Sequence, residues 1–166
     1  ATPQWFISME KNSLRKNSLE AIDKTMFFPK IGKNRIKGMI ESRPDWCISR
    51  QRFWGVPLPI FLDKETDQPL IDDKVFENIY DIFLKEGSDA WYIRPVSDFL
   101  TKKYDPSKFK KVQDIVEVWF DSGSTHSYVL EKREDLKWPA DMYLEGSDQH
   151  RGWFHSSLLH SCGTRN

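Results

Sequence analysis

Five residues within nine positions have types and spacing suited to holding a small polar ligand: Glu145, Gly146, Asp148, Gln149 and Trp153. Gly146 permits a tight turn and a close approach of backbone to a ligand. A helix opening just beyond it would offer unpaired N–H groups and a partial positive charge, which suit an anion. Gln149 and Trp153 are four apart, so on a helix an amide and an indole share one face. The amide oxygen can accept from an ammonium group, and the indole can form an apolar wall. The same residues also fit a plain corner with a capped helix and a core tryptophan.

The flanking residues supply the elements such a corner needs. Ala140 to Leu144 is short, partly apolar and preceded by Trp138-Pro139, which predicts a strand. Gln149 to Cys162 predicts a helix, with Phe154, Leu158 and Leu159 on or near one face. The turn belongs at Gly146, and Ser147 or Asp148 is the expected N-cap. In an open α/β sheet, a strand that turns into a helix N-terminus is a place where anionic ligands bind.

A second stretch with chemical content is Arg50-Gln51-Arg52-Phe53-Trp54-Gly55, after an expected short buried strand at Trp46 to Ser49. It reads either as a corner of solvated arginines with a packed indole, or as a place where Trp54 meets a substrate side chain. Val112 to Phe120 alternates as a strand, Asp121 to Ser124 is a turn, and Ser124 or Thr125 is placed to cap a short helix through Leu130. Asp121 and His126 fall into no nucleophile–base–orienter order. His150, His155 and His160 recur every five residues, which spreads them around a helix instead of aligning metal ligands.

The remaining chain alternates helices with short apolar runs, the mark of an α/β protein. Gln4 to Met9 suits a strand. Asn12 to Lys24 suits an amphipathic helix on Leu14, Leu19 and Ile22. Ile31-Gly32 interrupts the pattern, and Asn34 is the expected cap of a helix running to Ser42 before Pro44. Val56 to Leu62 carries two prolines and is expected to be extended or at a sheet edge. Asp72-Asp73 opens a helix to about Lys85, ended by Gly87. Lys102, Lys103, Lys108, Lys110 and Lys111, with Tyr104 and Phe109 between them, are read as a solvated face; RNA binding is the alternative.

The 25 basic and 25 acidic residues of the 166-residue chain cancel, so no global field draws it to nucleic acid. Two cysteines make no disulfide framework, and reduced thiols are the expectation. No apolar run approaches a membrane span, and the chain is expected to be soluble and cytoplasmic. Seven Trp and eleven Phe are many for this length, and some should face a ligand or further protein.

Leu144-Glu145-Gly146-Ser147-Asp148-Gln149-His150-Arg151-Gly152-Trp153-Phe154 closely resembles the isoleucyl-tRNA synthetase family of class I aminoacyl-tRNA synthetases. Arg43 to Gly55 resembles the block shared by the Ile, Val and Leu enzymes. Val118 to Ser124 resembles the Ile-type next block, and Thr2-Pro3-Gln4-Trp5-Phe6 resembles the re-entry after the editing insertion. The resemblance implies an α/β, Rossmann-like catalytic domain: residues 1–62 after the editing insertion, 63–111 a connective insertion, and 112–166 a second-half strand–helix segment. It implies activation of isoleucine with ATP and Mg²⁺, then transfer to tRNA(Ile). It implies that Glu145, Gly146, Asp148 and Gln149 bind the aminoacyl-adenylate, while Trp54 and Trp153 wall the isoleucine pocket. The chain contains neither His-x-Gly-His nor Lys-Met-Ser-Lys-Ser, the family's phosphate-handling motifs. Its ends are expected to lie inside a longer enzyme, and the segment alone, without the remainder of the catalytic domain, is expected to be inactive. A non-catalytic RNA-binding or structural module is the alternative.

Overall fold

The computed structural model describes residues 2–165. In chain order the elements are β1 (Phe6–Ile7), α1 (Leu14–Lys24), α2 (Ile31–Glu41), β2 (Trp46–Cys47), β3 (Ser49–Arg50), β4 (Phe61–Asp63), α3 (Asp73–Glu86), α4 (Ala90–Ile93), β5 (Phe109–Lys111), β6 (Ile115–Val116), α5 (Val118–Gly123) and α6 (Trp153–Thr164). Short 3₁₀ turns and one π-helical turn, His126–Leu130, complete the α/β set. The strands form three antiparallel pairs: β1 with β2, β3 with β6, and β4 with β5. The chain divides into two compact units, residues 49–116 and the two flanking segments together.

The unit formed by the flanking segments is mainly helical. Met9, Leu14, Ile22, Ile36, Ile40, Trp46 and Leu159 make its core. The buried positions of α1, Leu14, Ser18 and Ile22, recur every four residues and so share one helix face. The Arg15 guanidinium donates to the carbonyls of Ile40 (2.5 Å), Glu41 (3.2 Å) and Arg43 (2.8 Å), tying α1 to the C-terminal end of α2 and the chain just beyond it. Trp46 Nε1 donates to Glu117 Oε1 at 2.9 Å in a buried pair. The other carboxylate oxygen of Glu117 accepts the Trp119 N–H at 3.3 Å and caps α5. Helices α5 and α6 approach closely at Gly123, where a Cβ would lie 2.8 Å from the Ser156 backbone.

Residues 49–116 are built around an aromatic cluster. Trp91 is fully buried, 4.8 Å from the Phe61 ring and 5.2 Å from Phe99, and its Nε1 donates to the Val112 carbonyl at 2.9 Å. Helix α3 lays Val75 and Ile79 on this cluster. Asp72 caps it, accepting from Lys74 N (3.0 Å) and Val75 N (3.4 Å), and Gly87 ends it at φ +83°.

Several expected elements change. The Tyr143 stretch pairs with no strand among the described residues, so the strand read at Ala140 to Leu144 is corrected to an unpaired segment. A short apolar run alone makes no strand when no neighbouring backbone completes the ladder. The helix read from Gln149 is corrected to a 3₁₀ turn, Ser147–His150, followed by α6 from Trp153. Neither Ser147 nor Asp148 makes a side-chain capping bond there. The strand read across Val112 to Phe120 contracts to β6, because Glu117 turns the chain into α5. Asn34 lies inside α2, which starts at Ile31, and the strand read at Gln4 to Met9 contracts to β1.

Candidate functional site

At Gly146 the chain passes from an unpaired segment into a 3₁₀ turn, where a strand turning directly into a helix was expected. Gly146 is extended (φ −69°, ψ 159°), and the 3₁₀ turn follows at once. A Cβ on Gly146 would meet Asp148 Oδ1 at 2.6 Å, so the carboxylate occupies the space a side chain would need. Asp148 Oδ2 accepts from Gln149 Nε2 at 3.0 Å. Gln149 Oε1 accepts the backbone N–H of Trp153 at 3.0 Å, satisfying one of the orphaned donors that open α6. The amide therefore ties the acid to the helix start. At Gly152 a Cβ would lie 2.5 Å from Gln149 Oε1, so glycine is what lets this bond form.

Trp153 is half-buried and fixed on two sides. Its Nε1 donates to the Ser122 carbonyl at 3.0 Å, and Tyr143 stacks on its ring at 4.5 Å and 11°. Tyr143 also lies 5.8 Å from the Phe154 ring. Around this anchor the segment is open. Glu145, Gly146 and Asp148 are exposed, Met142 is 77% exposed and Leu144 is 83% exposed. The fold therefore gathers Glu145, Gly146, Asp148, Gln149 and Trp153 at the start of α6 and the loop leading into it. Sequence reading assigned no part to Tyr143 or to the Ser122 carbonyl, because nothing local links them to Trp153.

The histidines near this corner are held neutral. Burial lowers the His155 pKa to about 4, aided by the positive charge of Arg43. Burial also lowers His160 to about 4, with His126 and Arg165 acting in the same direction. His150 is lowered as well, by burial and then by Arg35, with Asp148 opposing. Burial and then the Glu117 charge raise Asp121.

Trp54 lies in the other compact unit, in the loop after β3, and is 90% exposed. Gly55, at φ +149°, lies against the Ile115 side chain, where an added Cβ would collide. The lysine run is largely engaged within its own unit. Lys103 pairs with Asp72 at 3.3 Å, Lys110 pairs with Asp67, and Lys111 donates to the carbonyls of Trp91 and Arg94. The Lys111 ammonium also sits 4.8 Å from the Phe99 ring centre and 5.2 Å from that of Trp91. These contacts leave few phosphate-ready cations in the run.

The sequence profile of the tRNA synthetases class I (I, L, M and V) matches residues 1–166. The chain belongs to this family. It is 67% identical over 165 residues to the isoleucine–tRNA ligase of Pelagibacter ubique, covering 99% of this chain and 18% of that protein. It is 57% identical over 169 residues to the ligase of that name from Mesorhizobium japonicum, covering 99% of this chain and 17% of the relative. The isoleucine–tRNA ligase of Geobacter sulfurreducens is 54% identical over 170 residues, again across 99% of this chain and 18% of the relative. The chain thus spans less than a fifth of the length of these relatives. No helix among the described residues is long and apolar enough to cross a membrane.

Proposed function

We propose that this chain is a segment of the catalytic domain of a cytoplasmic isoleucine–tRNA ligase, and that the start of α6 is part of its aminoacyl-adenylate site. The reaction joins isoleucine to ATP, presented as its Mg²⁺ complex. An isoleucine carboxylate oxygen attacks the α-phosphorus, the bond to the β-phosphate breaks, and pyrophosphate leaves. A ribose hydroxyl at the 3′ end of tRNA(Ile) then attacks the activated carbonyl and releases AMP. Such chemistry needs positioning and charge stabilisation, with no protein nucleophile.

The observation that carries the reading is the 67% identity across 99% of the chain to a protein named isoleucine–tRNA ligase. The geometry at α6 supports it. Gly146 gives the nucleotide close backbone approach, Glu145 and Asp148 offer acceptors to its ribose, and Trp153 offers an apolar wall to the alkyl group. Gln149 Oε1 already accepts one N–H, and its second lone pair remains for the ammonium. Trp54 keeps its assignment to the isoleucine pocket in this reading on the resemblance of its motif alone. Residues 63–111 act as a connective insertion between the segments 1–62 and 112–166.

The test is a chimera. This chain replaces the matching stretch of the Pelagibacter ubique ligase, and isoleucine-dependent exchange of pyrophosphate into ATP is measured. Exchange near the parent rate is expected, while the 166-residue chain alone gives none. A folded chimera without exchange would overturn the reading.

A further inference from the structure

A cleft of about 420 Å³ opens within residues 49–116, lined by Gln51, Arg52, Phe53, Tyr92, Gln113 and Asp114. Its size falls in the range of small-ligand sites. Two of its walls are aromatic rings. Phe53 is fully exposed and Tyr92 is 43% exposed, and neither stacks on another ring among the described residues. Arg52 and Asp114 face the same space without an ion pair between them or with any other described residue. Gln113, which also lines the cleft, donates Nε2 to the Lys111 carbonyl at 3.4 Å, and its amide oxygen remains available as an acceptor.

The exposed rings are held on a pinned loop. The chain enters along β3, paired with Ile115 and Val116, and returns to the same residues through the Pro57–Ile115 bridge. The Val116 N–H donates to the Val56 carbonyl at 2.8 Å. Gly55 closes the return at φ +149° against Ile115. Both ends of the 51–55 excursion thus rest on one strand, so Phe53 pays little ordering entropy on contact with a ligand.

From this geometry we propose that the cleft binds one nucleotide, its base on the Phe53 and Tyr92 rings and its phosphate at Arg52. Bases stack on aromatic side chains whatever their sequence, and arginine suits a phosphate. The Asp114 carboxylate and the Gln113 oxygen are acceptors only, so they favour a base edge that carries an amino group. The source that fits is an unpaired nucleotide of RNA, since nothing in the cleft gathers the several cations that a free triphosphate needs. This inference extends the ligase reading to where its RNA substrate touches the enzyme, and it rests on that reading for the identity of the RNA alone.

The test uses the 166-residue chain and a dye-labelled single-stranded hexamer of adenylate, followed by fluorescence anisotropy, with AMP as competitor. Binding is expected, and Phe53→Ala or Tyr92→Ala should each weaken it about fivefold or more. Tyr92→Phe should restore it, and Tyr80→Ala, on the exposed side of α3, should leave it unchanged. Arg52→Gln should weaken binding and flatten its salt dependence. Competition by AMP at concentrations near the hexamer's own affinity would assign the cleft to a free nucleotide; failure to compete assigns it to RNA. Hexamer binding insensitive to both ring variants, or absent in a chain that keeps its circular dichroism, overturns the proposal. Pyrophosphate exchange by the chimera is read separately, so failure of either idea leaves the other standing.

Discussion

Gln149 reaches across Gly152 to accept the Trp153 N–H at 3.0 Å while donating to Asp148 at 3.0 Å. One amide thus serves as helix cap and as a clamp on a carboxylate. Gln149→Ala should lower the stability of the chain by about 1 kcal/mol, as loss of a cap does. Gln149→Glu keeps an acceptor for the Trp153 N–H but sets a second carboxylate against Asp148, so it should recover only part of that loss. Urea midpoints of the three proteins measure it. In a full-length ligase, Gln149→Ala should weaken binding of every amino acid alike, as loss of a shared ammonium contact would.

Trp153 holds the loop ahead of it through Tyr143. Trp153→Ala removes both the stacked ring and the bond to Ser122, so Tyr143 loses its seat. Trypsin should then cut at Lys137 several-fold faster, a change visible in a timed digest. In the full-length enzyme the same variant should weaken isoleucine selection by roughly 2–4 kcal/mol through lost apolar burial and a cavity. Unchanged discrimination against valine would remove Trp153 from the pocket.

Trp91 is the centre of residues 49–116. Trp91→Ala should cost about 3–5 kcal/mol, since it empties a fully buried site and strands the Val112 carbonyl. Hydrogen exchange should show the loss in the amides of α3 and β5. Amides of α1 and α2, which belong to the other unit, should keep their protection.

Acid should weaken the unit that contains α6. His155 titrates near pH 4 in the fold and near 6.5 when unfolded, so the unfolded chain binds the proton first. Its contribution is intact above about pH 6.5 and is lost as pH falls toward 4. For His155 the full loss is about 3 kcal/mol. His160 acts in the same direction over the same window. Denaturant midpoints at pH 7.5 and pH 4.5 should differ accordingly, and His155→Leu should flatten the dependence. A midpoint that rises toward acid would contradict a neutral buried imidazole.

Helix α3 was legible because its signals are local: Asp72 caps it, Gly87 ends it and its apolar stripe has helical spacing. At Gly146 only the start of a turn was legible; the strand expected before it and the helix expected directly after it are absent among the described residues. The setting of Tyr143 was not legible. Its short, partly apolar run suits a strand, and only distant chain decides whether a strand has anything to pair with. Glu117 misled in the opposite way. The alternation of Val116, Val118 and Phe120 says strand, but a carboxylate that meets both Trp46 and the Trp119 N–H turns the chain into a helix. The pairing of Trp46 with Glu117 spans 71 residues, beyond any local pattern. The role proposed for the α6 start was read from residue types and motif resemblance, while the cleft joins Arg52 and Phe53, from a stretch the sequence singles out, to a Tyr92 that nothing local links to them.

That span also sets an order of events during synthesis. Residues 49–116 are continuous, so their aromatic cluster can close as soon as they leave the ribosome. The earlier segment cannot finish. Trp46 lacks its acceptor until Glu117 is made, and α1 and α2 lack Leu159. At about 5–20 residues per second the wait lasts several seconds. Throughout it the apolar faces of α1 and α2 stand open, so the nascent chain is most exposed to chaperones and to misassembly while its middle is already folded.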